Sequence, residues 1–127
     1  APNLATNEDA IRILVDAITT AGFSPGDDIA IALDPAMSEL FVDGRYELAG
    51  EGKVLAPAEL VEYWTRLVST YPIVSIEDGM HENDWDGWAD LTWPSAVECN
   101  WSATISSSPT VDVWPKASIA RSPTACW

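Results

Sequence analysis

This sequence predicts an α/β fold in which βα units build a parallel sheet. The chain of 127 residues is 47% hydrophobic, which is enough to form the core of one domain. Amphipathic helical stretches alternate with short apolar strands, and the two apolar strands each end directly at a carboxylate. The predicted order is helix, strand, hairpin, helix, strand, helix.

The first helix is predicted over residues 7–21. Thr6 is an N-cap with Asp9 three residues on, an acidic version of the capping box. Gly22 ends the helix. Between these ends, apolar residues repeat at helical spacing: Ala10, Ile11, Leu14, Val15 and Ile18.

A strand and a hairpin follow. Residues 29–33 form a short, continuously apolar run, which is typical of a strand buried on both faces, and the run ends at Asp34. Residues 40–48 carry two short strand-forming runs around Asp43-Gly44, the strongest short-range signal for a hairpin. The hairpin is predicted to be a small excursion from the main sheet.

A second helix and a second buried strand come next. Pro57 suits a helix start, and an apolar stripe runs from it to about Thr70. The stripe consists of Leu60, Val61, Trp64, Leu67 and Val68. Residues 73–76 repeat the buried-strand pattern, and this run ends at Glu77.

A short third helix opens at Asn83 or Asp84, both of which are good N-cap residues. It places Trp85, Trp88 and Leu91 on one face. Because the two tryptophans share that face with a leucine, we expect them to pack against the core rather than to form a stacking platform.

Charge and composition exclude several classes of function. Twenty acidic residues against six basic ones leave a formal charge of −14, so we expect the chain to bind no nucleic acid. No apolar run reaches the roughly 20 residues of a membrane span, and the start lacks a signal-peptide pattern, so the cytoplasm is the expected compartment. The two cysteines, Cys99 and Cys126, and the single histidine, His81, receive no functional role.

Asp34 and Glu77 are the candidate metal ligands. If the strands that precede them are neighbours, the two carboxylates converge at the carboxyl end of the sheet, where α/β proteins carry out their chemistry. Ligation by oxygen alone favours Mg²⁺ or Ca²⁺ over zinc. The alternative is that each acid begins a turn, as Asp-Pro and Asp-Gly pairs often do, and spacing alone leaves both interpretations open.

Four segments of the chain resemble the enolase family. They are APNL at residues 1–4, IALDPAMSE at 31–39, YPIVSIEDGM at 71–80 and DWDGW at 84–88. The resemblance runs in register over residues 1–92. It implies that the fold is a partial β/α (TIM-like) barrel, a fragment of the enolase C-terminal domain.

The resemblance also implies a reaction, a cofactor and partners. Enolases are Mg²⁺-dependent lyases of glycolysis that reversibly dehydrate 2-phosphoglycerate to phosphoenolpyruvate. Asp34 and Glu77 match two of the three carboxylates that hold the metal in that family. The complete enzyme is expected to be a cytoplasmic homo-oligomer, and enolases are also found at the cell surface or secreted.

The catalytic groups of the family have no match in this chain. In enolases the general acid lies directly before the APNL segment, and the lysine base, the third metal carboxylate and the substrate-binding residues lie beyond the position of Thr92. No catalytic or cofactor-binding residue is therefore assigned beyond the two metal ligands. We expect the isolated chain to be inactive.

Residues 93–127 differ in composition from the rest of the chain. They contain four charged residues, are rich in Ser, Pro and Trp, and show no helical or strand period. Enolases continue here with a segment like VQLVGDDLFVTN. The codons of residues 98–110 can also be read in a shifted frame, in which each new codon consists of the last base of one codon and the first two bases of the next. In this frame the codons permit the residues VQLVGDDLFVTN in that order.

We therefore expect residues 93–127 to be a non-native, disordered tail, read in a frame displaced by one base missing between the codons for Thr92 and Glu98. Ala103 and Thr104 stand where the family has its third metal carboxylate. Metal binding by two carboxylates alone is expected to be weak.

Two rival hypotheses remain. One is a non-catalytic acidic binding fragment whose Trp-rich tail contacts sugars or partner proteins, which requires Trp93, Trp101 and Trp114 to lie ordered on one exposed face. The other is a fragment displayed at the cell surface, for which the sequence contains no export signal.

Overall fold

The computed structural model describes residues 4–92 and 100–102. Within those residues lie three α-helices: α1 (Asn7–Thr20), α2 (Pro57–Thr70) and α3 (Trp85–Thr92). The strands are β1 (Ile31–Leu33), β2 (Phe41–Val42), β3 (Arg45–Leu48), β4 (Lys53–Leu55), β5 (Ile73–Glu77) and β6 (Asn100–Ser102). Two short 3₁₀ turns, Met37–Leu40 and Ala49–Glu51, lie among them.

The strands form two separate sheets. Strands β1, β5 and β6 are parallel, with β5 in the middle. Strands β2, β3 and β4 form an antiparallel meander. The α/β class and the predicted order of helix, strand, hairpin, helix, strand and helix are confirmed, and in the described part of the chain neither sheet closes into a barrel.

The N-terminus of α1 is a reciprocal capping box, as predicted. The Thr6 side chain accepts a hydrogen bond from the Asp9 backbone at 3.1 Å, and the Asp9 carboxylate accepts one from the Thr6 backbone at 3.1 Å. Both bonds satisfy backbone donors that a helix start leaves without a partner. The local sequence therefore determines where α1 begins.

Helix α2 provides most of the core. Pro57 occupies its first turn, and the Glu59 carboxylate accepts a hydrogen bond from the Ala56 backbone at 2.7 Å. The predicted stripe is confirmed, since all five of its residues are buried together with Tyr63. Apolar residues from the strands, including Ile31, Tyr46 and Ile76, join the same cluster.

The hairpin turns at the predicted dipeptide. Asp43 and Gly44 both have positive φ, 49° and 79°, which is the backbone that a two-residue hairpin turn requires. Strand β4 was not predicted, because its three residues are too few to show a period. It pairs with β3 through Tyr46 and Leu55, so the excursion is a three-stranded sheet.

The parallel sheet is covered on one face, and the prediction of burial on both faces is wrong. In the register of β1 and β5, Leu33 pairs with Ile76 and Ala32 with Ser75. Ile76 is fully buried in the core, whereas Ala32 is exposed. Val74 of β5 is also 49% exposed, so in the described part of the chain the sheet is not buried on both faces.

The apolar stripe of α1 is only partly buried. Ile11 is 3% exposed, while Leu14, which belongs to the same predicted stripe, is 49% exposed. Val15 and Ile18 are partly buried against the core. Helix α1 therefore has an apolar surface that the described part of the chain leaves uncovered.

Helix α3 corrects one expectation. Leu91 is buried and Trp88 is partly buried against the core, as predicted, but Trp85 is 56% exposed. Trp85 is the first residue of α3, where the helix emerges from the loop beyond the edge of the core. Trp85, Trp88 and Leu91 share the same helical spacing, but only the last two reach the core.

Strand β6 lies in the segment for which the sequence predicts no strand. Its backbone pairs with β5 in parallel, and Ser102 is the partner of Glu77. The other residues of the predicted tail, 93–99 and 103–127, lie outside the described residues. None of the described helices is long and apolar enough to cross a membrane.

Candidate functional site

The two candidate metal ligands lie side by side at the carboxyl end of the parallel sheet. Asp34 directly follows β1, and Glu77 is the last residue of β5. Leu33 pairs with Ile76 in parallel register, and Asp34 and Glu77 are the residues that directly follow this pair on the two neighbouring strands. Both residues are exposed. The condition set by the sequence analysis, that the two strands are neighbours, is therefore met, and the role of the two carboxylates stays a prediction.

Each ligand is followed by a sharply turned backbone. Ala36 has a φ of 49°, and Asp78 has a φ of 52°, both in the left-handed region that favours glycine. The two turns are joined by a hydrogen bond from the Met37 backbone N–H to the Asp78 carbonyl oxygen at 3.0 Å. The segments that follow the two carboxylates are therefore linked directly.

The loop over residues 78–84 is held by side chains from elements distant in sequence. The Trp64 indole N–H of α2 donates to the Gly79 carbonyl oxygen at 2.8 Å, a buried bond. The Glu82 backbone N–H donates to the Ser38 hydroxyl at 3.1 Å. The loop that begins directly after Glu77 is thus tied both to the core helix and to the turn after β1.

Tyr46 is the central support of this loop. Its side chain is fully buried, and its hydroxyl donates to the Asp84 carboxylate at 2.7 Å. The same hydroxyl accepts a hydrogen bond from the His81 backbone N–H at 2.9 Å. Burial and the neighbouring carboxylate of Asp84 raise the pKa of Tyr46, so this hydroxyl keeps its proton.

Asp84 is the N-cap of α3. Its other carboxylate oxygen accepts a hydrogen bond from the Gly87 backbone N–H at 3.0 Å. Asp84 is one of the two residues that the sequence predicts as the N-cap. Sequence analysis did not single out Tyr46. The period-two burial of β3 could have indicated that this residue faces the core, but not that its hydroxyl meets a carboxylate 38 residues away.

His81 makes contacts that hold the loop. Its ring stacks on Phe41 with centroids 4.5 Å apart, and its Nδ1 accepts a hydrogen bond from the Asn83 backbone at 3.1 Å. The Trp88 indole N–H donates to the His81 carbonyl oxygen at 3.1 Å. These contacts join the hairpin, the loop and α3 in one packed unit.

The donor set at the sheet end fits a hard divalent cation as part of a site. Carboxylate oxygens are the ligands that Mg²⁺ and Ca²⁺ take, and Asp34 and Glu77 supply two carboxylates from adjacent strands. Residues 4–92 and 100–102 contain no group of three or more His, Cys, Asp or Glu residues placed to hold a metal. The residue of β6 opposite Glu77 is Ser102.

Basic residues in the described part of the chain are mostly engaged elsewhere. Arg66 pairs with Glu8 at 2.8 Å, Lys53 with Glu51 at 2.7 Å, and Arg12 with Asp9 at 3.4 Å. A cavity of about 220 Å³ lies beside Asp34, and its walls are mainly apolar. In the described part of the chain, the carboxyl end of the parallel sheet therefore offers oxygen ligands for a cation but few positively charged groups for an anionic substrate.

A parallel sheet with carboxylates at its strand ends is the arrangement in which β/α barrels and open α/β sheets carry their functional groups. The family model described as "Enolase, C-terminal TIM barrel domain" matches residues 1–98 of the 127. The chain belongs to the enolase family, and it corresponds to a fragment of that barrel domain. Members of this family use Mg²⁺.

The rival hypothesis of a Trp-rich binding tail stays a prediction. Trp93 and Trp114 lie outside the described residues, and for Trp101 only the backbone of β6 is described.

Proposed function

We propose that this chain is part of the barrel of an enolase, a lyase that reversibly dehydrates 2-phosphoglycerate to phosphoenolpyruvate. Asp34 and Glu77 are its two Mg²⁺ ligands in this proposal. The observation that carries it is the side-by-side placement of these carboxylates at the strand ends of a chain in the enolase family. The resemblance to the enolase family singles out the same two acids among the twenty of the chain.

The proposed chemistry explains why carboxylates belong at this place. The proton removed lies alpha to a carboxylate and is weakly acidic, so the reaction builds negative charge that a bound Mg²⁺ stabilises. Asp34 and Glu77 would hold the cation through oxygen atoms, and the loop bonds to Trp64 and Tyr46 keep the strand end in place. The cation that the acidic pair would hold offsets the repulsion between an acidic chain and an anionic substrate.

The isolated chain is proposed to be inactive. No general acid or base of the family is matched by its residues, and three of the four basic residues before residue 93 are engaged in ion pairs. The reaction, the anionic substrate and the homo-oligomer belong to the complete enzyme in this proposal.

We also propose that the coding frame is displaced by one base missing between the codons for Thr92 and Glu98. The displaced reading of residues 99–102 permits Gln-Leu-Val, which contains two apolar residues common in strands, and β6 at Asn100–Ser102 lies parallel to β5. Its position beside Glu77 is where a third strand-end carboxylate would complete the site. This placement supports the displaced reading without depending on the identity of the side chains.

Binding of Mn²⁺, a paramagnetic substitute for Mg²⁺, tests the metal assignment. Nuclear magnetic resonance should show selective broadening of amide signals around Asp34 and Glu77, with weak affinity. Asp34→Asn and Glu77→Gln should each remove the broadening. Asp43→Asn, which removes one charge at the exposed hairpin turn, is the matched control and should leave it intact. Equal broadening in all four chains would contradict the assignment.

A further inference from the structure

Two strained residues follow the candidate ligands. Within residues 4–92 and 100–102, positive φ at a residue other than glycine occurs at Ala36, Asp43 and Asp78. Asp43 lies in the two-residue hairpin turn, which demands that conformation. Ala36 and Asp78 lie in no hairpin, and each comes within two residues of a candidate ligand. Left-handed backbone costs free energy for any residue with a Cβ. Two such residues at the same end of the sheet therefore need a physical explanation.

The two strained turns are bonded to each other. The left-handed conformation of Ala36 ends the extended path after β1 and begins the 3₁₀ turn Met37–Leu40. The first N–H of that turn, on Met37, donates to the carbonyl oxygen of Asp78 at 3.0 Å. Met37 itself is 1% exposed, so the bond lies over the closed core and not in solvent.

A glycine at either position would adopt the same turn at less cost but would also sample many others. A Cβ narrows that choice, so Ala36 and Asp78 give stiffer turns than glycine once the surroundings hold them in place. The stiffness acts on the two segments that carry Asp34 and Glu77. Two carboxylates on separate strands bind a cation well only if their spacing does not fluctuate.

We infer that Ala36 and Asp78 are positioning residues, whose left-handed backbones join the two turns through the Met37 amide and so hold Asp34 and Glu77 at a constant spacing. The nature of the ligand rests on the proposed function. The link between the two turns does not rest on the proposed function, because it is measured on the metal-free chain.

Ala36→Gly is the decisive variant. In the metal-free chain, the Met37 amide should exchange with solvent about threefold faster or more, since glycine adds freedom to the turn. The urea midpoint should change little, because relief of the left-handed strain offsets the greater freedom of the unfolded chain. The Kd for Mn²⁺ should rise by a similar factor of about three. A merely structural role would instead lower the urea midpoint and leave binding to the folded chain unchanged.

Two further variants make the test specific. Asp43→Gly introduces the same change at the remote hairpin turn and should alter neither Met37 exchange nor Mn²⁺ binding. Ala36→Asn keeps a residue that tolerates left-handed backbone and should restore both. Unchanged Met37 exchange in Ala36→Gly, or equal loss in Asp43→Gly, would overturn the inference.

Failure of the proposed function gives a different result. If the unaltered chain does not broaden around Asp34 and Glu77 with Mn²⁺, the metal assignment is wrong. The exchange of Met37 in Ala36→Gly still decides whether the two turns are linked.

Discussion

The hydroxyl of Tyr46 and the carboxylate of Asp84, 38 residues apart in sequence, form a hydrogen bond of 2.7 Å. Through this pair the hairpin sheet supports the N-terminus of α3 and the loop that follows the candidate ligand Glu77. The sheet of β2, β3 and β4 therefore helps to hold the loop that follows β5 in place.

Removal of the Tyr46 hydroxyl should destabilise the protein. Tyr46→Phe keeps the ring but leaves the Asp84 carboxylate and the His81 N–H without this buried partner, which costs about 1 to 3 kcal/mol. Urea unfolding followed by tryptophan fluorescence measures the loss.

Tyr71→Phe is the matched control, because the Tyr71 hydroxyl bonds to Glu8 in a less buried setting. It should change the free energy of unfolding much less than Tyr46→Phe does. If both variants lose the same stability, the special position of Tyr46 is not supported.

Acidic pH should loosen the contact between α1 and the rest of the chain. Burial alone would raise the pKa of Glu51, but hydrogen bonds from Lys53, the Asn7 backbone and Tyr63 outweigh it and hold that pKa below its ordinary value of 4.5. The pKa of Glu8 is likewise lowered, by hydrogen bonds from Tyr71 and then Arg66.

A carboxyl with a lowered pKa in the folded state stabilises the fold above its unfolded pKa. That contribution is lost as the pH falls from about 4.5 through the folded pKa. The urea midpoint should therefore decrease below about pH 4.5. Glu51→Gln should lower the midpoint at neutral pH and flatten its dependence on pH, whereas Glu47→Gln, on an exposed position of β3, should follow the unaltered chain.

Gly87 should not tolerate a side chain, although alanine is the better helix former by about 1 kcal/mol. A Cβ at this position of α3 would collide with the Met80 side chain and come within 2.7 Å of Asp84 Oδ2, the oxygen that accepts the hydrogen bond from Tyr46. Gly87→Ala is expected to lower the free energy of unfolding by about 1 to 3 kcal/mol.

Gly50→Ala is the corresponding control, because a Cβ there meets no atom within 4 Å and the backbone is not left-handed. Its effect should stay within about 0.5 kcal/mol. Thermal unfolding followed by circular dichroism gives the stability of both variants. A loss of stability in Gly87→Ala alone is due to the collision at Gly87 and not to a general effect of replacing glycine by alanine. A neutral Gly87→Ala would show that α3 packs differently.

Resequencing the coding DNA from the codon of Trp88 to that of Trp127 tests the displaced frame. One additional base between the codons for Thr92 and Glu98 should restore a continuous enolase sequence with an Asp-Asp pair near Ala103 and Thr104. Codons that do not permit the enolase residues would contradict the displaced frame, and residues 93–127 would then be a genuine part of the product.

Local patterns in the sequence determined the helices and turns of this protein. The capping box at Thr6, the dipeptide Asp43-Gly44 and the apolar stripe of α2 act over a few neighbouring residues, so their outcome depends little on the rest of the chain. The same is true of the termination of β1 and β5 at Asp34 and Glu77, from which the candidate site could be predicted.

Only the tertiary structure decided which residues meet. Strand order makes β1 and β5, which lead to Asp34 and Glu77, neighbours in one sheet. Among the described residues, Ala32, Val74 and Leu14 are exposed, which periodicity cannot show because it records which residues are apolar and not what packs on them. The Tyr46 bond to Asp84 and the link between Met37 and Asp78 join distant segments. Such contacts depend on the packing of the whole fold, so no local pattern determines them.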